Sequence, residues 1–233
     1  MRPRNVSILL VAATLTALQS AAAAETSTTA RFLVSLRGTI KKGWSYTSSG
    51  LTDGCRTHVS GNGTRSISLR SRDVSVVTAR RAGTAGRVIF SGTVTAIGGT
   101  IRESGTKTTR SSGPVGCEQD TQKTTCPPVT QTFRGQHARL VGGRRHTLTL
   151  GPMKRLVPDA FFNDCPGEPR AVRRISTGLG FADARLNERD IFDRSVAGLT
   201  LQGSADASTT LFNRSAKIEQ HVRWTLTLRR LGG

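Results

Sequence analysis

Polar and apolar residues alternate along most of this chain with a period of two. The clearest run is C-terminal. Ala216, Ile218, Val222, Trp224, Leu226 and Leu228 share one parity, with Gln220 as the polar exception; Lys217, Glu219, His221, Arg223, Thr225, Thr227 and Arg229 share the other. Successive side chains of a strand point to opposite faces, so the run predicts a half-buried strand with Trp224, Leu226 and Leu228 turned inward. Phe32, Val34 and Leu36 repeat the pattern against Ser35 and Arg37. Ile67 and Leu69 alternate with Ser66, Ser68 and Arg70, and Val88, Phe90, Val94 and Ala96 with Ser91, Thr93 and Thr95. Thr147 to Leu150 is a shorter case. Gly61-Asn62-Gly63, Gly98-Gly99 and Gly142-Gly143 lie between strand-like runs and read as hairpin turns. The best helical candidate, Ala182 to Arg194, spreads Ala184, Leu186, Ile191 and Phe192 over more than one stripe and reads as loop plus strand entry. The expected class is all-β, an antiparallel, sandwich-like fold.

One segment departs from the alternation. Ser104 to Gln131 is rich in Thr and Ser and holds Gly113-Pro114 and Pro127-Pro128, so it reads as a linker or long loop. It suggests two β-halves, 25–118 and 119–233, which are also compatible with one continuous sandwich. Residues 1–24 stand apart from both. Arg2 and Arg4 precede an apolar run from Val6 to Ala17, and Ala21 to Ala24 supply small residues for cleavage. That order predicts a secretory signal peptide cut after Ala24. A membrane anchor would need roughly 20 apolar residues, more than this run has. The expected location is therefore secreted or cell-envelope associated, with no transmembrane segment in the mature chain.

The cysteines fit export. Cys55, Cys117, Cys126 and Cys165 all follow the signal, and an even number in an oxidising compartment predicts two disulfides. A hairpin about Gly142-Gly143, extended outward, brings Cys126 near Cys165. This favours Cys126–Cys165 with Cys55–Cys117. The rival is a local Cys117–Cys126 bridge with Cys55–Cys165. No close Cys-x₂₋₄-Cys pair supports zinc.

Charge changes the picture most. The chain holds 34 basic and 15 acidic residues, a net +19, and loss of Arg2 and Arg4 with the signal leaves +17. Such a field attracts polyanions, here an anionic cell-wall polymer or an acidic membrane surface. Of the basic residues 28 are Arg and six Lys, a bias that GC-rich coding also produces. The doublets Arg80-Arg81, Arg144-Arg145, Arg173-Arg174 and Arg229-Arg230 make no patch by themselves, because on a strand one arginine goes to each face. One Tyr and two Trp are too few for the stacking platforms of single-strand nucleic-acid sites, and sequence-specific nucleic-acid binding is not expected.

Catalytic patterns are missing. There is no Gly-x-Ser-x-Gly elbow and no Gly-rich phosphate loop before a helix. His58, His137, His146 and His221 are scattered; only His137 and His146 could face each other, across the proposed hairpin. Asp183, Glu188, Asp190 and Asp193 form an acidic cluster that Arg185, Arg189 and Arg194 offset, so ion pairs are expected there before a calcium loop. No catalytic, cofactor-binding or metal-binding residue is assigned, and no cofactor is expected.

Several pieces carry a resemblance. They are an opening strand with Gly38 and Trp44, Gly54-Cys55 followed by Gly61 and Gly63, a polar loop with Cys117 and Cys126, and Phe162-x-x-Cys165-Pro166. In these the chain resembles a loose group of secreted proteins of high-GC Gram-positive bacteria with no assigned activity. The resemblance implies export, β structure and disulfides, and transfers no catalytic residue. The expected function is a non-enzymatic secreted or cell-envelope protein whose ligand the sequence does not name, binding an anionic surface or acting structurally; the alternative is a hydrolase with a site built from scattered residues.

Overall fold

The computed structural model describes residues 29–82, 87–115, 117, 121–142, 147–151, 179, 182–211 and 214–232. Among them the protein is nearly all-β. One antiparallel sheet of ten strands runs through it. In chain order the strands are β1 (Thr29–Thr52), β2 (Cys55–Ser71), β3 (Ser75–Ala82), β4 (Arg87–Ser91), β5 (Thr93–Ser112), β6 (Thr121–Gly142), β7 (Thr147–Leu150), β8 (Asp183–Arg185), β9 (Gly198–Leu211) and β10 (Ala216–Arg230). A short helix, α1 (Glu188–Phe192), follows β8. The expected signal peptide, Met1 to Ala24, lies outside the described residues.

β1 organises the sheet. Along one edge it pairs with β3 over Thr29 to Val34 and then with β2 from Arg37 to Thr52. Along its other edge it pairs with β10 from Phe32 to Tyr46. The sheet continues through β2 to β5, β6, β7 and β8 on one side, and through β10 to β9 on the other. It curls until β4 lies against β6 and β8 against β9, but its hydrogen-bonded path does not close. Strands on both sides of the 118/119 division thus share one sheet.

The inward parity is the one read from the alternation. Phe32, Val34, Leu36 and Ile40 of β1 pack with Ile67 and Leu69 of β2, Val222, Trp224, Leu226 and Leu228 of β10, and Phe192 of α1 in one buried cluster. Trp44 and Ile218 form a second cluster further along β1, with Tyr46 against it. Three aromatics lie flat across a neighbouring strand, each over the glycine in register with it: Trp44 over Gly63, Tyr46 over Gly61 and Trp224 over Gly203. A Cβ at any of those glycines would collide with the ring. This pairing of a large ring with a bare backbone fixes register between strands.

These contacts correct two turn readings. Gly61-Asn62-Gly63 lies mid-strand in β2, under the aromatics, and Gly98-Gly99 lies within β5, where the pairing to β6 shifts register. The β1–β2 turn is Asp53-Gly54, with φ of 51° and 80°. Both residues are left-handed, as a two-residue hairpin requires, and Asp-Gly is a favoured sequence for it. The β6–β7 hairpin does form, with Gly142 opposite Leu148 and Leu140 opposite Leu150. Gly142 is still strand in this register, so a turn at Gly142-Gly143 is not what joins the two strands, and residues 143–146 are outside the described residues. Ser104 to Gln131 is mostly strand rather than linker: β5 runs to Ser112 and β6 begins at Thr121. Threonine is β-branched and suits a pleated surface, so a Thr-rich polar stretch can pair on both sides of a sheet without a core behind it.

The helical candidate divides. Asp183–Arg185 is strand, and Glu188–Phe192 is a helix of little more than one turn. Asn187 caps it: its side-chain oxygen accepts from the Arg189 N–H at 3.2 Å.

Candidate anion-binding groove

The outward face of the sheet is where register gathers charge. In β1 the odd positions point out, in β2 the even ones, and in β10 the odd ones, as their exposure alternates. Register then sets Arg37 of β1 directly opposite Arg70 of β2. In the next outward row Ser204, Arg223, Thr39, Ser68, Thr100 and Thr132 follow one another across six strands, β9, β10, β1, β2, β5 and β6. These rows line a groove of about 800 Å³ that also takes in Arg72 and Arg134. Arg72 is held just past β2 by its backbone N–H, which donates to the Ala96 carbonyl at 3.0 Å.

All five arginines are exposed, and among the described residues no acidic side chain lines the groove. Like charges directly opposite on adjacent strands repel, so Arg37 beside Arg70 costs stability when no anion is present. Five guanidiniums around a floor of hydroxyls present hydrogen-bond donors and positive charge together, the combination that suits phosphate or carboxylate oxygens.

The inward face carries charge of another kind. Gln220, Lys42, Arg65 and Glu103 sit opposite one another in successive strands β10, β1, β2 and β5, and all four are buried. Arg65 Nε donates to Glu103 Oε2 at 2.8 Å, and Arg65 Nη2 lies 2.7 Å from the same oxygen. The row separates the main core from the Trp44 cluster. Burial, with the Arg65 charge beside it, lowers the Lys42 pKa from 10.5 to about 8; Glu103 acts in the opposite sense. A lysine whose folded pKa lies below its unfolded value holds fewer protons when folded, so its contribution to stability rises as pH climbs from about 8 to 10.5. Below that window the charged amine is a net cost. Lys42→Met should therefore raise stability at pH 7 by about 1–2 kcal/mol, as apolar replacement of a buried charge often does. Urea melts at pH 7 and pH 10 should show the gain shrinking at the higher pH.

The sequence-predicted residues fall as follows. Cys55 and Cys117 form a disulfide, with Cα atoms 5.6 Å apart. This overturns the rival Cys117–Cys126 bridge. The bond ties the start of β2 to the chain just beyond β5, and in the chain-entropy account a loop of this length is worth about 4 kcal/mol. Cys126 is buried and also disulfide-bonded, and its expected partner, Cys165, lies outside the described residues. Disulfides persist in oxidising compartments.

The arginine doublets divide between faces. Arg80 is exposed, while half-buried Arg81 reaches Glu188 at 2.6 Å and stacks on Phe192. Arg229 is exposed, while Arg230 stacks on Phe32 and donates to the carbonyls of Val196 and Ile191. Arg144-Arg145 and Arg173-Arg174 are outside the described residues. The groove instead uses single arginines brought together by register, a signal present only as outward parity in each separate strand.

The acidic cluster does not converge. Asp183 accepts from Thr149 Oγ1, Glu188 pairs with Arg81, and Asp193 accepts from the Ser195 backbone and hydroxyl, which hold its carboxyl below the usual range. Among the described residues no group of three His, Cys, Asp or Glu side chains could hold a metal ion. His221 contacts Asp206 at 2.7 Å on the surface, and His58 contacts Ser49 at 2.9 Å near the exposed β1–β2 turn. His137 is exposed, and His146 lies outside the described residues.

No protein-family model matches the chain, and no curated protein or solved structure is similar to it.

Proposed function

We propose that this is a non-enzymatic, exported protein that binds a linear polyanion, an anionic cell-wall polymer or the headgroups of an acidic membrane, in the groove of the outward face. The observation that carries the reading is the direct opposition of Arg37 and Arg70 within a groove that no acidic side chain lines among the described residues. An anion bridging the two guanidiniums replaces their repulsion with two charge-assisted hydrogen bonds. Arg72, Arg134 and Arg223 extend the same field along the groove. The disulfide and the N-terminal segment support export, and the resemblance to secreted proteins of high-GC Gram-positive bacteria agrees with both.

The test is a titration of labelled polyglycerol phosphate and of phosphatidylglycerol vesicles. Binding should weaken steeply between 0.1 M and 1 M salt, as the Debye length falls from about 10 Å to about 3 Å. Arg37→Ala/Arg70→Ala should weaken binding about 5- to 30-fold at 0.1 M salt, the loss of two solvent-exposed charge contacts at roughly 0.5–1 kcal/mol each. Arg80→Ala/Arg229→Ala removes the same charge away from the groove and should change affinity less than threefold. Equal losses in the two double variants would mean diffuse attraction and no groove site. Absence of binding at low salt would mean that the arginines are compositional.

A further inference from the structure

Two long strands, β6 before Leu140 and β9, each pair with one neighbour among the described residues and are built differently. β6 carries Pro127-Pro128, Lys123, Arg134 and Arg139, a left-handed Gly135, and register shifts against β5. Prolines, charges and bulges on an edge strand are the devices that stop it from pairing with another chain. β9 has none of them. It pairs with β10 in unbroken register from Gly198 to Leu211, and it holds no proline and no basic residue. Its one charge, Asp206, is engaged by His221. From Asp206 to Thr210 every side chain is exposed, on both faces of the strand, and β10 is the one strand to which β9 is paired among the described residues.

We propose that the exposed end of β9, Asp206 to Thr210, beyond the part of the strand that β8 packs against, pairs antiparallel with the same segment of a second copy of this chain, about a two-fold axis at Ser208. Two arguments select a second copy. An antiparallel edge is self-complementary: with the axis at Ser208, Ala207 faces Thr209 and Asp206 faces Thr210, so no like charges meet. The second argument is electrostatic. Two exported chains of net +17 repel over most of their surfaces, and β9 is a fourteen-residue stretch without a basic side chain. Pairing there extends the sheet and puts two arginine grooves on one outward face, on opposite sides of the axis, since Gln202, Gly203 and Ser204 of β9 line one end of each. A long polyanion can then engage both grooves at once, with the gain in apparent affinity that linked sites provide.

Salt separates this contact from groove binding. Screening relieves the repulsion between two positive chains, so dimerisation should strengthen as salt rises while polyanion binding weakens. Sedimentation velocity of the purified chain, over a concentration series in 0.5 M salt without polyanion, should approach twice the chain's mass. Ser208→Lys places two like charges face to face at the axis, and Ser208→Glu does the same with opposite sign. Each variant alone should sediment as a monomer with an unchanged circular dichroism spectrum, and an equimolar mixture should recover the dimer. A wild-type chain that stays monomeric throughout, a dimer indifferent to both substitutions, or a mixture that stays monomeric would overturn the proposal. Growth beyond a dimer would point to β9 meeting β6 in an open chain, and would overturn it too.

Discussion

Trp224→Ala should destabilise the protein by about 3–5 kcal/mol, the range for truncating a large buried aromatic. Trp224 is 2 % exposed and serves three contacts at once. Its ring lies flat over Gly203 of β9, its position in β10 is opposite Gly38 of β1, and its Nε1–H donates to the Ala182 carbonyl at 2.9 Å. Truncation leaves a cavity that bare glycine backbone on either side cannot fill, and it orphans the Ala182 carbonyl beside β8. Trp224→Phe keeps most of the ring and loses the donor, so it should cost less, about 1–3 kcal/mol. Equilibrium urea unfolding of the three proteins measures both steps. An Ala variant with an unchanged midpoint would mean that the alternation from Ala216 to Arg229 faces the other way.

That alternation was legible because it is local. Gln220 is the instructive residue in it. It breaks the apolar pattern in sequence, yet it is buried at 5 % exposure like its neighbours of the same parity. Parity assigned its face correctly, while its partners depended on strands that sequence does not place beside it. The glycines show the same division. Gly61 and Gly63 look like a turn when read alone, and become packing platforms only once Tyr46 and Trp44 are set across from them. Asp53-Gly54 carries the stronger turn signal, and the Gly61-Asn62-Gly63 reading passes over it. The polar strands β5 and β6 were hidden for a different reason. Thr106 to Thr109 and Thr121 to Thr125 lack an apolar face to betray a period, and their strand state follows from pairing with each other. The groove is least legible of all. Arg37 and Arg70 are far apart in sequence and meet only through the β1–β2 register.

The buried row is a second product of register, and it predicts a loss comparable to that of Trp224→Ala. Glu103→Leu should cost about 3–5 kcal/mol. Glu103 is 6 % exposed and accepts from Arg65, itself 5 % exposed, with Lys42 next in the row. Removing the carboxylate strips a buried guanidinium of the oxygen that Nε and Nη2 share, and Lys42 loses the negative charge that favours its protonated form. Both effects disfavour the fold below about pH 8, where Lys42 is charged. The double variant Arg65→Met/Glu103→Leu removes the pair together and should recover most of the loss, because the desolvation cost of a buried ion pair offsets its attraction. A double variant as unstable as Glu103→Leu alone would show that Arg65 stabilises the sheet through contacts other than this carboxylate. Denaturant midpoints at pH 7, with Lys42→Met in parallel, separate these outcomes: the Lys42 change should shift the midpoint up, the Glu103 change down, and the paired replacement little.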